Sequence, residues 1–252
     1  MLKLIKAPLK MALKSCHLKI VSDNGPLTLA EIEEEFNTVY VAAQEKTQMT
    51  ASDNILRRHR HHSLMQLLKN VLPDINTAHI AECGCFRGLS AYQIAYHARK
   101  RNFRNRFIIF DSFEGLSEFK DGDQSPATVA QKELLRKTFA CPQDVVENNL
   151  KEFKFIEYKK GWIPERFSEA SDLKFIFAHI DVDLYQPAKD SLEFFYPRMV
   201  SGGLIVFDDY GCLAFPGVKK AVDDFINGKK DFFLHLPSGE AFIIKEGVGN
   251  GQ

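Results

Sequence analysis

Five apolar, strand-like segments lie between residues 78 and 210, and four of them end in acidic side chains. They are Glu82, Asp111, Asp181 and the pair Asp208-Asp209, while the remaining segment ends at Gly161-Trp162. A single carboxylate at a strand end is often a cap for the helix that follows. The carboxyl ends of parallel strands meet in one crevice, so several carboxylates there would repel one another unless a cation or a polyhydroxylated ligand bound them. The pattern therefore predicts a ligand site.

A glycine turn follows the first of these segments, with the spacing acidic-x-Gly-x-x-x-Gly from Glu82 through Gly84 to Gly88. The turn differs from the G-x-G-x-x-G of dinucleotide sites, and a pyrophosphate would be repelled by Glu82. An amino-acid ammonium group would be attracted instead. Asp111 ends the next strand 23 residues after Gly88, where a carboxylate can bind ribose hydroxyls. These features favour S-adenosylmethionine over NAD as the ligand.

The elements that position these residues alternate between strands and helices from residue 78 onward. Strands are predicted at 78–83, 106–111, 153–161, 173–183, 202–210 and, as a hairpin around Pro-Ser-Gly, within 231–246; helices are predicted at 88–102, 187–200 and 218–230, with two more helix-like segments between 112 and 152. The runs at 107–110, 175–178 and 204–207 are continuously apolar, which is typical of strands buried on both faces. We expect a doubly wound, mostly parallel seven-stranded α/β sheet with an antiparallel C-terminal hairpin.

The N-terminal region is expected to be helical, and we divide the chain into an extension at 1–75, serving as a lid or dimer arm, and a cofactor-binding domain at 76–252. Helices are predicted at 28–47, with Thr28 as the N-cap and Glu31 completing a capping box, and at 52–71, capped by Ser52 or Asp53. The second helix carries the run Arg-Arg-His-Arg-His-His at 57–62, which we interpret as a solvated face because consecutive positions point around a helix.

The first twenty residues place lysines on one helical face beside leucine and isoleucine, with Pro8 interrupting the pattern. One interpretation is an arm that packs on the body or on a partner subunit, as in a homodimer, and the other is weak contact with a membrane surface.

Composition excludes several classes of protein. The 252 residues carry 33 basic and 33 acidic side chains, and this balance argues against nucleic-acid binding. Hydrophobic residues make up 45% of the chain, which is ordinary for a globular protein. No run of 18 apolar residues is present, so no transmembrane span is predicted. Five cysteines without a Cys-x-x-Cys motif indicate neither a disulfide framework nor a zinc site, and they favour the cytoplasm.

From about Thr50 to Glu246 the chain resembles the macrocin O-methyltransferase (TylF-type) family. The resemblance rests on the segments IAECGCFRGLSAYQIA, IIFDSFEGL, KKGWIPERF, HIDVDLYQP, GGLIVFDDYG and PGVKKAVDDF, and on TQMTAS upstream. It implies a class I methyltransferase that uses S-adenosylmethionine and a divalent metal to methylate a hydroxyl, typically on a sugar of a natural product. A hydroxylated, sugar-containing small molecule is thus the expected acceptor.

The resemblance also implies roles for the later acidic residues. Asp181, Asp208 and Asp209 match the family's metal-binding carboxylates, and Mg²⁺ does prefer oxygen ligands of this kind. The position of Asp181 is the leading candidate for the catalytic base. His179, two residues earlier on the same strand face, is the second candidate for the base, with a structural histidine as the alternative.

Further side chains are predicted near the cofactor or the acceptor. Ser90 and Ser112 follow the glycine turn and Asp111 and complete the predicted cofactor-binding set with Glu82, Gly84, Gly88, Asp111, Trp162 and Asp181. Trp162 would border the adenine or serve only in packing. Tyr185 and Tyr210 flank the acidic clusters as wall residues or acceptor contacts, and the polar loop at 119–128 is either a flap or an inert connection.

Two other kinds of function stay open from the sequence alone. Asp181 and Asp183 form a D-x-D pair, as in metal-dependent glycosyltransferases, but such a site needs neither Glu82 beside the glycine turn nor Asp111. A non-catalytic protein with the same fold would not need all three metal carboxylates. An NAD(P) enzyme is disfavoured by the missing G-x-G-x-x-G motif.

Overall fold

The structure is a computed structural model and describes residues 33–246, except for the side chain of Ser52. The basic arm at 1–20, the Thr28 cap and Glu31 lie outside the described residues, so these predictions stay predictions. Among the described residues, no helix is both long enough and apolar enough to cross a membrane.

Two helices precede the sheet, α1 (Glu34–Thr47) and α2 (Ile55–Val71). Asn54 caps α2 by accepting a hydrogen bond from the backbone amide of Arg57 at 2.9 Å. The predicted cap at Asp53 is wrong because that carboxylate pairs with Arg58 at 2.8 Å instead. Apolar residues of both helices belong to the same hydrophobic cluster as strand residues of the sheet. The domain boundary near residue 75 stays a prediction, although the helices pack directly on the body.

Seven strands form one sheet in the order β3-β2-β1-β4-β5-β7-β6. Their bounds are β1 His79–Cys83, β2 Phe107–Asp111, β3 Ile156–Lys160, β4 Phe175–Ile180, β5 Met199–Phe207, β6 Phe232–His235 and β7 Ala241–Ile244. Strands β1 to β5 are parallel, and β7 runs antiparallel between β5 and β6. This topology confirms the predicted doubly wound, mostly parallel sheet with an antiparallel hairpin.

Five further helices lie between the strands along the chain, and all but the second of them, which has no buried residue, contribute apolar side chains to the core. They are α3 Leu89–Lys100, α4 Val129–Thr138, α5 Gln143–Asn149, α6 Tyr185–Phe195 and α7 Pro216–Ile226. The helix predicted at 187–200 ends earlier, because Pro197 has no amide hydrogen to continue the ladder; a 3₁₀ turn at Tyr196–Arg198 leads directly into β5.

The central strands are buried on both faces, as their continuous apolar runs predicted. Every residue of β4 is buried, and alternate side chains of the sheet feed two separate hydrophobic clusters, one on each face. On one face Phe110, Phe167 and Phe195 meet edge to face with ring centroids 5.1–6.1 Å apart. Each buried phenylalanine contributes roughly 1.5–3 kcal/mol to folding.

The strand order reverses between β1 and β4, so the crevice for a ligand opens at the carboxyl ends of these two neighbours. The backbone amide of Asp181 donates to the carbonyl of Cys83 at 2.8 Å, which fixes the two strand ends side by side. The fold thus brings the glycine turn after β1 against the acidic residues after β4.

Candidate active site

A cavity of about 280 Å³ opens at the carboxyl ends of the strands. Most residues predicted from the sequence line it: Gly84, Ser90, Asp111, Ser112, Trp162, His179, Asp181, Asp208 and Asp209. Two predicted cofactor residues, Glu82 and Gly88, are absent from its lining. The crevice expected from the strand ends is therefore a real cavity, with the predicted side chains around it.

The glycine turn is shaped by its two glycines. Gly84 has φ +78°, and a Cβ atom there would lie 1.8 Å from the carbonyl oxygen of Asp181. Gly88, with φ +89°, is the N-cap of α3. Only glycine adopts this conformation at so close an approach without strain. The turn thereby presents backbone amides and the start of α3 to the cavity.

Asp111 holds this turn in place. One carboxylate oxygen, Oδ2, accepts the backbone amides of Cys85 at 2.6 Å and Phe86 at 3.3 Å, and Oδ1 accepts the amide of Phe113 at 2.6 Å. A carboxylate oxygen has two lone pairs, so the two amides fill Oδ2, whereas Oδ1 can still accept a bond from a ligand hydroxyl. The ribose contact of Asp111 stays a prediction, and the observed contacts add a role in shaping the loop.

Glu82 lies beneath the cavity floor rather than in its wall. Its side chain is 0% exposed, and its Oε1 lies 2.9 Å from Nδ1 of His179, which is also buried. Because an ionised carboxylate only accepts, Nδ1 carries the proton and donates to Glu82. This pairing orients the other ring nitrogen, Nε2, towards Asp208, whose Oδ1 is 3.8 Å away. Contact between Glu82 and a ligand ammonium group stays a prediction.

Four carboxylates converge at one end of the cavity, and we call Asp181, Asp183, Asp208 and Asp209 the carboxylate centre. Their possible ligand atoms form two groups that share one residue, and within each group these atoms lie within 4.8 Å of one another. One group joins His179 with Asp181 and Asp208, and the other joins Asp181 with Asp183 and Asp209. Asp181 belongs to both. Asp183, which the sequence offered only as part of a D-x-D pair, is thus a further possible ligand.

Two acids of the carboxylate centre, Asp181 and Asp183, favour their neutral forms because their pKa values are raised. Burial, together with repulsion from Asp209, raises the pKa of Asp181 to about 7. The same causes raise the pKa of Asp183 well above its ordinary value. For His179, burial would lower the pKa, but the hydrogen bond and the charge of Glu82 outweigh it and raise the pKa. Repulsion of this kind is relieved when a cation binds.

Oδ2 of Asp209 and Nε2 of His179 are among the buried side-chain atoms that have no hydrogen-bond partner, together with Nε of Arg60, Oε2 of Glu82 and Oε1 of Glu240. Buried polar atoms are normally satisfied, so such atoms indicate a missing ion or ligand. Hard oxygen donors and one imidazole nitrogen suit a divalent cation such as Mg²⁺ or Mn²⁺. The residues present therefore fit the metal that the sequence resemblance implied.

Arg60 of α2 also reaches the carboxylate centre, and sequence reasoning missed it. Its Nη2 donates to the backbone carbonyl of Asp208 at 2.9 Å and to Oδ1 of Asp209 at 3.1 Å, and it forms an ion pair with the carboxylate of Asp208. Burial would lower the pKa of Arg60, but the negative charges of Asp209, Asp181 and Glu240 outweigh burial and raise this pKa above its ordinary value.

The interpretation of 57–62 as a solvated face is therefore wrong. Besides Arg60, His61 turns into the cavity wall, where Nε2 of Gln93 donates to its Nδ1 at 2.9 Å. Burial and the nearby His179 lower the pKa of His61 well below its ordinary value. His62 faces away and pairs with Glu33 at 2.8 Å. Packing of α2 over the sheet, which no local pattern reveals, buries this face.

A second residue that the sequence did not indicate is Glu240, at the start of the hairpin strand β7. Its side chain is buried and accepts a hydrogen bond from the hydroxyl of Ser238 at 2.8 Å. Burial, reinforced by the charge of Asp181, raises its pKa to about 7, although the Ser238 hydrogen bond and Arg60 oppose the shift. Its only sequence signal is an acidic residue beside a hairpin turn.

The flanking aromatic residues differ in their placement. Trp162 lines both the main cavity and an adjoining cavity of about 370 Å³, so it lies between the two. Tyr210 is buried, and its hydroxyl donates to Asp223 at 2.7 Å. The backbone amide of Tyr185 donates to Asp123 at 2.7 Å, which anchors the polar loop at 119–128 on α6.

Comparison with known proteins agrees with this geometry. The family model for macrocin-O-methyltransferase (TylF) matches residues 19–231. Curated relatives include demethyldecarbamoylnovobiocin O-methyltransferase of Streptomyces niveus, 24% identical over 175 residues, with 66% of this chain and 64% of the relative covered. Mycinamicin III 3''-O-methyltransferase of Micromonospora griseorubida is 22% identical over 183 residues, with 70% and 71% covered.

A third relative, an 8-demethyl-8-(2,3-dimethoxy-alpha-L-rhamnosyl)-tetracenomycin-C 4'-O-methyltransferase of Streptomyces olivaceus, is 27% identical over 170 residues, covering 65% of this chain and 63% of the relative. The chain thus covers 64% and 63% of the lengths of the two Streptomyces relatives, which is slightly under two thirds.

Solved structures resemble the whole sheet and its helices. The calicheamicin methyltransferase CalS11 superposes with a TM-score of 0.64 at 21% identity, covering 88% of this chain and 99% of that one. The O-methyltransferase NovP gives 0.63 at 20% identity, with 75% and 80% covered. At these identities the likeness establishes the Rossmann-like methyltransferase fold. Because the family model also matches residues 19–231, the chain belongs to the macrocin-O-methyltransferase (TylF) family.

Proposed function

We propose that this protein is a metal-dependent O-methyltransferase that moves a methyl group from S-adenosylmethionine to a hydroxyl of a sugar-containing small molecule. The observation that carries the proposal is the carboxylate centre, which faces the glycine turn across one cavity. Family membership and the printed names of the relatives support methyl transfer to sugar hydroxyls. The same membership favours methyl transfer over glycosyl transfer, hydride transfer or a non-catalytic role.

The donor would bind along the glycine turn. Gly84 allows close approach to the backbone, Ser90 lies in the first turn of α3, and Asp111 and Ser112 end the next strand at the same edge of the cavity. Oδ1 of Asp111 can accept a ribose hydroxyl in addition to its backbone bond. The sulfonium methyl would then point towards the carboxylate centre, where the acceptor hydroxyl has room in the cavity.

Asp181, Asp208 and Asp209 would hold the divalent cation. Asp181 belongs to both groups of close ligand atoms, with His179 and Asp208 in one group and Asp183 and Asp209 in the other. When bound, such a cation lowers the pKa of a coordinated hydroxyl. The residues of the chain supply the rest: they orient the acceptor oxygen, exclude bulk water from the cavity floor and take up the proton.

Asp181 is the favoured proton acceptor. Its carboxylate belongs to both groups of close ligand atoms, so it lies beside the point where a cation would hold the acceptor hydroxyl, within the reach that a general base needs. The carboxylate takes the proton of the acceptor hydroxyl, and the hydroxyl oxygen forms a bond to the methyl carbon. The carbon–sulfur bond breaks, and sulfur keeps its electron pair. The products are the methyl ether, a protonated carboxyl and neutral S-adenosylhomocysteine. His179, which Glu82 orients, is the second candidate for the base.

The direct test is an assay for S-adenosylhomocysteine and for methylated acceptor. The acceptor should gain about 14 daltons, because a methyl group replaces one hydrogen. Purified protein would be given S-adenosylmethionine and a panel of deoxysugar glycosides, with Mg²⁺ or with EDTA. We expect product only with the metal. Full activity after metal removal would contradict the metal dependence, and failure to bind S-adenosylmethionine in calorimetry would contradict the whole proposal.

A cytoplasmic location and a homodimer stay predictions from the sequence. Cys83, Cys85, Cys141 and Cys212 are free in the structure.

A further inference from the structure

Arg60 reaches the carboxylate centre from outside the sheet. It belongs to α2, in the region before β1, yet its guanidinium bonds to residues 148 and 149 positions later in the chain. Its side chain is 27% exposed, whereas that of Asp209 is 5% exposed. A permanent positive charge thus enters a site whose other groups fit a divalent metal.

Arg60 and a metal would use different oxygens of the same carboxylate. Oδ1 of Asp209 accepts from Arg60 at 3.1 Å, while Oδ2 of Asp209 is buried and has no hydrogen-bond partner. Nε2 of His179 is likewise buried and has no hydrogen-bond partner. These two atoms point to a ligand that is additional to the guanidinium, since Arg60 leaves them unsatisfied.

A guanidinium and a divalent cation that share Asp208 and Asp209 repel each other. The repulsion is only weakly screened, because the carboxylates are partly or fully removed from water. Without a metal, the same guanidinium offsets repulsion among the four carboxylates and stabilises the folded protein. Arg60 therefore acts in opposite directions on the two states.

We propose that Arg60 is a built-in counter-cation of the carboxylate centre that competes with the divalent metal. It lowers the affinity for the metal and holds the metal-free centre together, so the helical region before the sheet sets how tightly the metal binds. The inference shares with the proposed function the premise that a divalent cation binds at this centre, but it does not depend on methyl transfer.

The sign of the change in metal affinity tests this inference. Arg60→Gln removes the charge, Arg60→Lys keeps it, and Arg58→Gln is the matched control, because it removes a charge from the same helix where Arg58 pairs with Asp53 at 2.8 Å. Binding of Mn²⁺ would be measured by calorimetry and by the electron paramagnetic resonance signal of free Mn²⁺. Neither measurement requires an acceptor or any turnover.

We expect Arg60→Gln to bind Mn²⁺ at least about tenfold more tightly than the wild type, while Arg60→Lys and Arg58→Gln stay within about threefold of the wild type. In thermal unfolding with EDTA, Arg60→Gln should melt at a lower temperature than the wild type, and saturating Mn²⁺ should restore it more than it raises the wild type.

Unchanged or weaker Mn²⁺ binding by folded Arg60→Gln would overturn the inference, because Arg60 would then be a structural support of the ligands. So would an absence of Mn²⁺ binding in both proteins. Methyl transfer that proceeds in EDTA would instead contradict the metal dependence of the proposed function, and it would leave the inference standing if Arg60→Gln still gained affinity.

Discussion

Asp181→Asn is expected to stabilise the metal-free protein at pH 8 while abolishing tight metal binding. The folded protein favours the protonated carboxyl of Asp181, whose pKa is about 7 against an ordinary value of 3.8. Such a group stabilises the folded state fully at pH values below its unfolded pKa. This stabilisation is lost as the pH rises towards and through 7, where the buried carboxylate becomes charged. Asparagine imitates the neutral form at every pH.

The magnitude follows from the difference between the two pKa values, which is about three. Each pKa unit corresponds to about 1.4 kcal/mol, so the loss at pH 8 would be roughly 4 kcal/mol for an isolated, fully buried group. Asp181 lines an open cavity, and water there screens part of the charge. We therefore expect Asp181→Asn to gain roughly 2 kcal/mol in free energy of unfolding at pH 8 relative to the wild type.

The assay is urea unfolding in EDTA at several pH values between 4 and 8, with Asp74→Asn as the control because Asp74 is exposed on the surface. The wild type and the control should lose stability over this range more steeply than Asp181→Asn. Added Mg²⁺ should reverse the order at pH 8, because the intact carboxylate centre binds it more tightly than the centre of Asp181→Asn does. An Asp181→Asn protein with the full wild-type pH dependence would refute the reasoning.

Three further changes follow from the same contacts. Asp111→Ala removes the predicted ribose contact and three loop bonds, so calorimetry should show S-adenosylmethionine affinity at least about tenfold lower. Unchanged affinity would exclude Asp111 from the ribose site. Gly84→Ala places a methyl group 1.8 Å from the carbonyl oxygen of Asp181, so we expect a loss of several kcal/mol in urea unfolding (roughly 2–4), and a near-wild-type midpoint would show that the turn yields. In turnover at saturating Mg²⁺, Asp181→Asn should stay about 10²–10⁴-fold slow if Asp181 is the base; rescue by metal, together with loss of a limb of the pH–rate profile in His179→Gln, would assign the base to His179.

The element pattern was accessible from the sequence because it depends on local information. Continuous apolar runs at 107–110, 175–178 and 204–207 can be satisfied only by strands covered on both faces, and all three are buried strands in the structure. Acidic residues directly after such strands must then share one edge of a parallel sheet. The error in the cap of α2 is also local: Asn54 and Asp53 are adjacent polar residues, and Asp53 pairs with Arg58, five residues later, so that Asn54 is the cap.

The inner arrangement of the site was decided only by the tertiary structure. The sequence placed Glu82 and His179 in separate strands, and the pairing of β1 with β4 puts them opposite each other as a buried carboxylate–imidazole pair. Glu240 arrives at the same centre through the antiparallel hairpin. Arg60 lies on a helix whose charges look solvated in one dimension, and its partners are 148 residues away. Local periodicity identifies which elements form, whereas the charge balance of a site depends on which distant elements pack together.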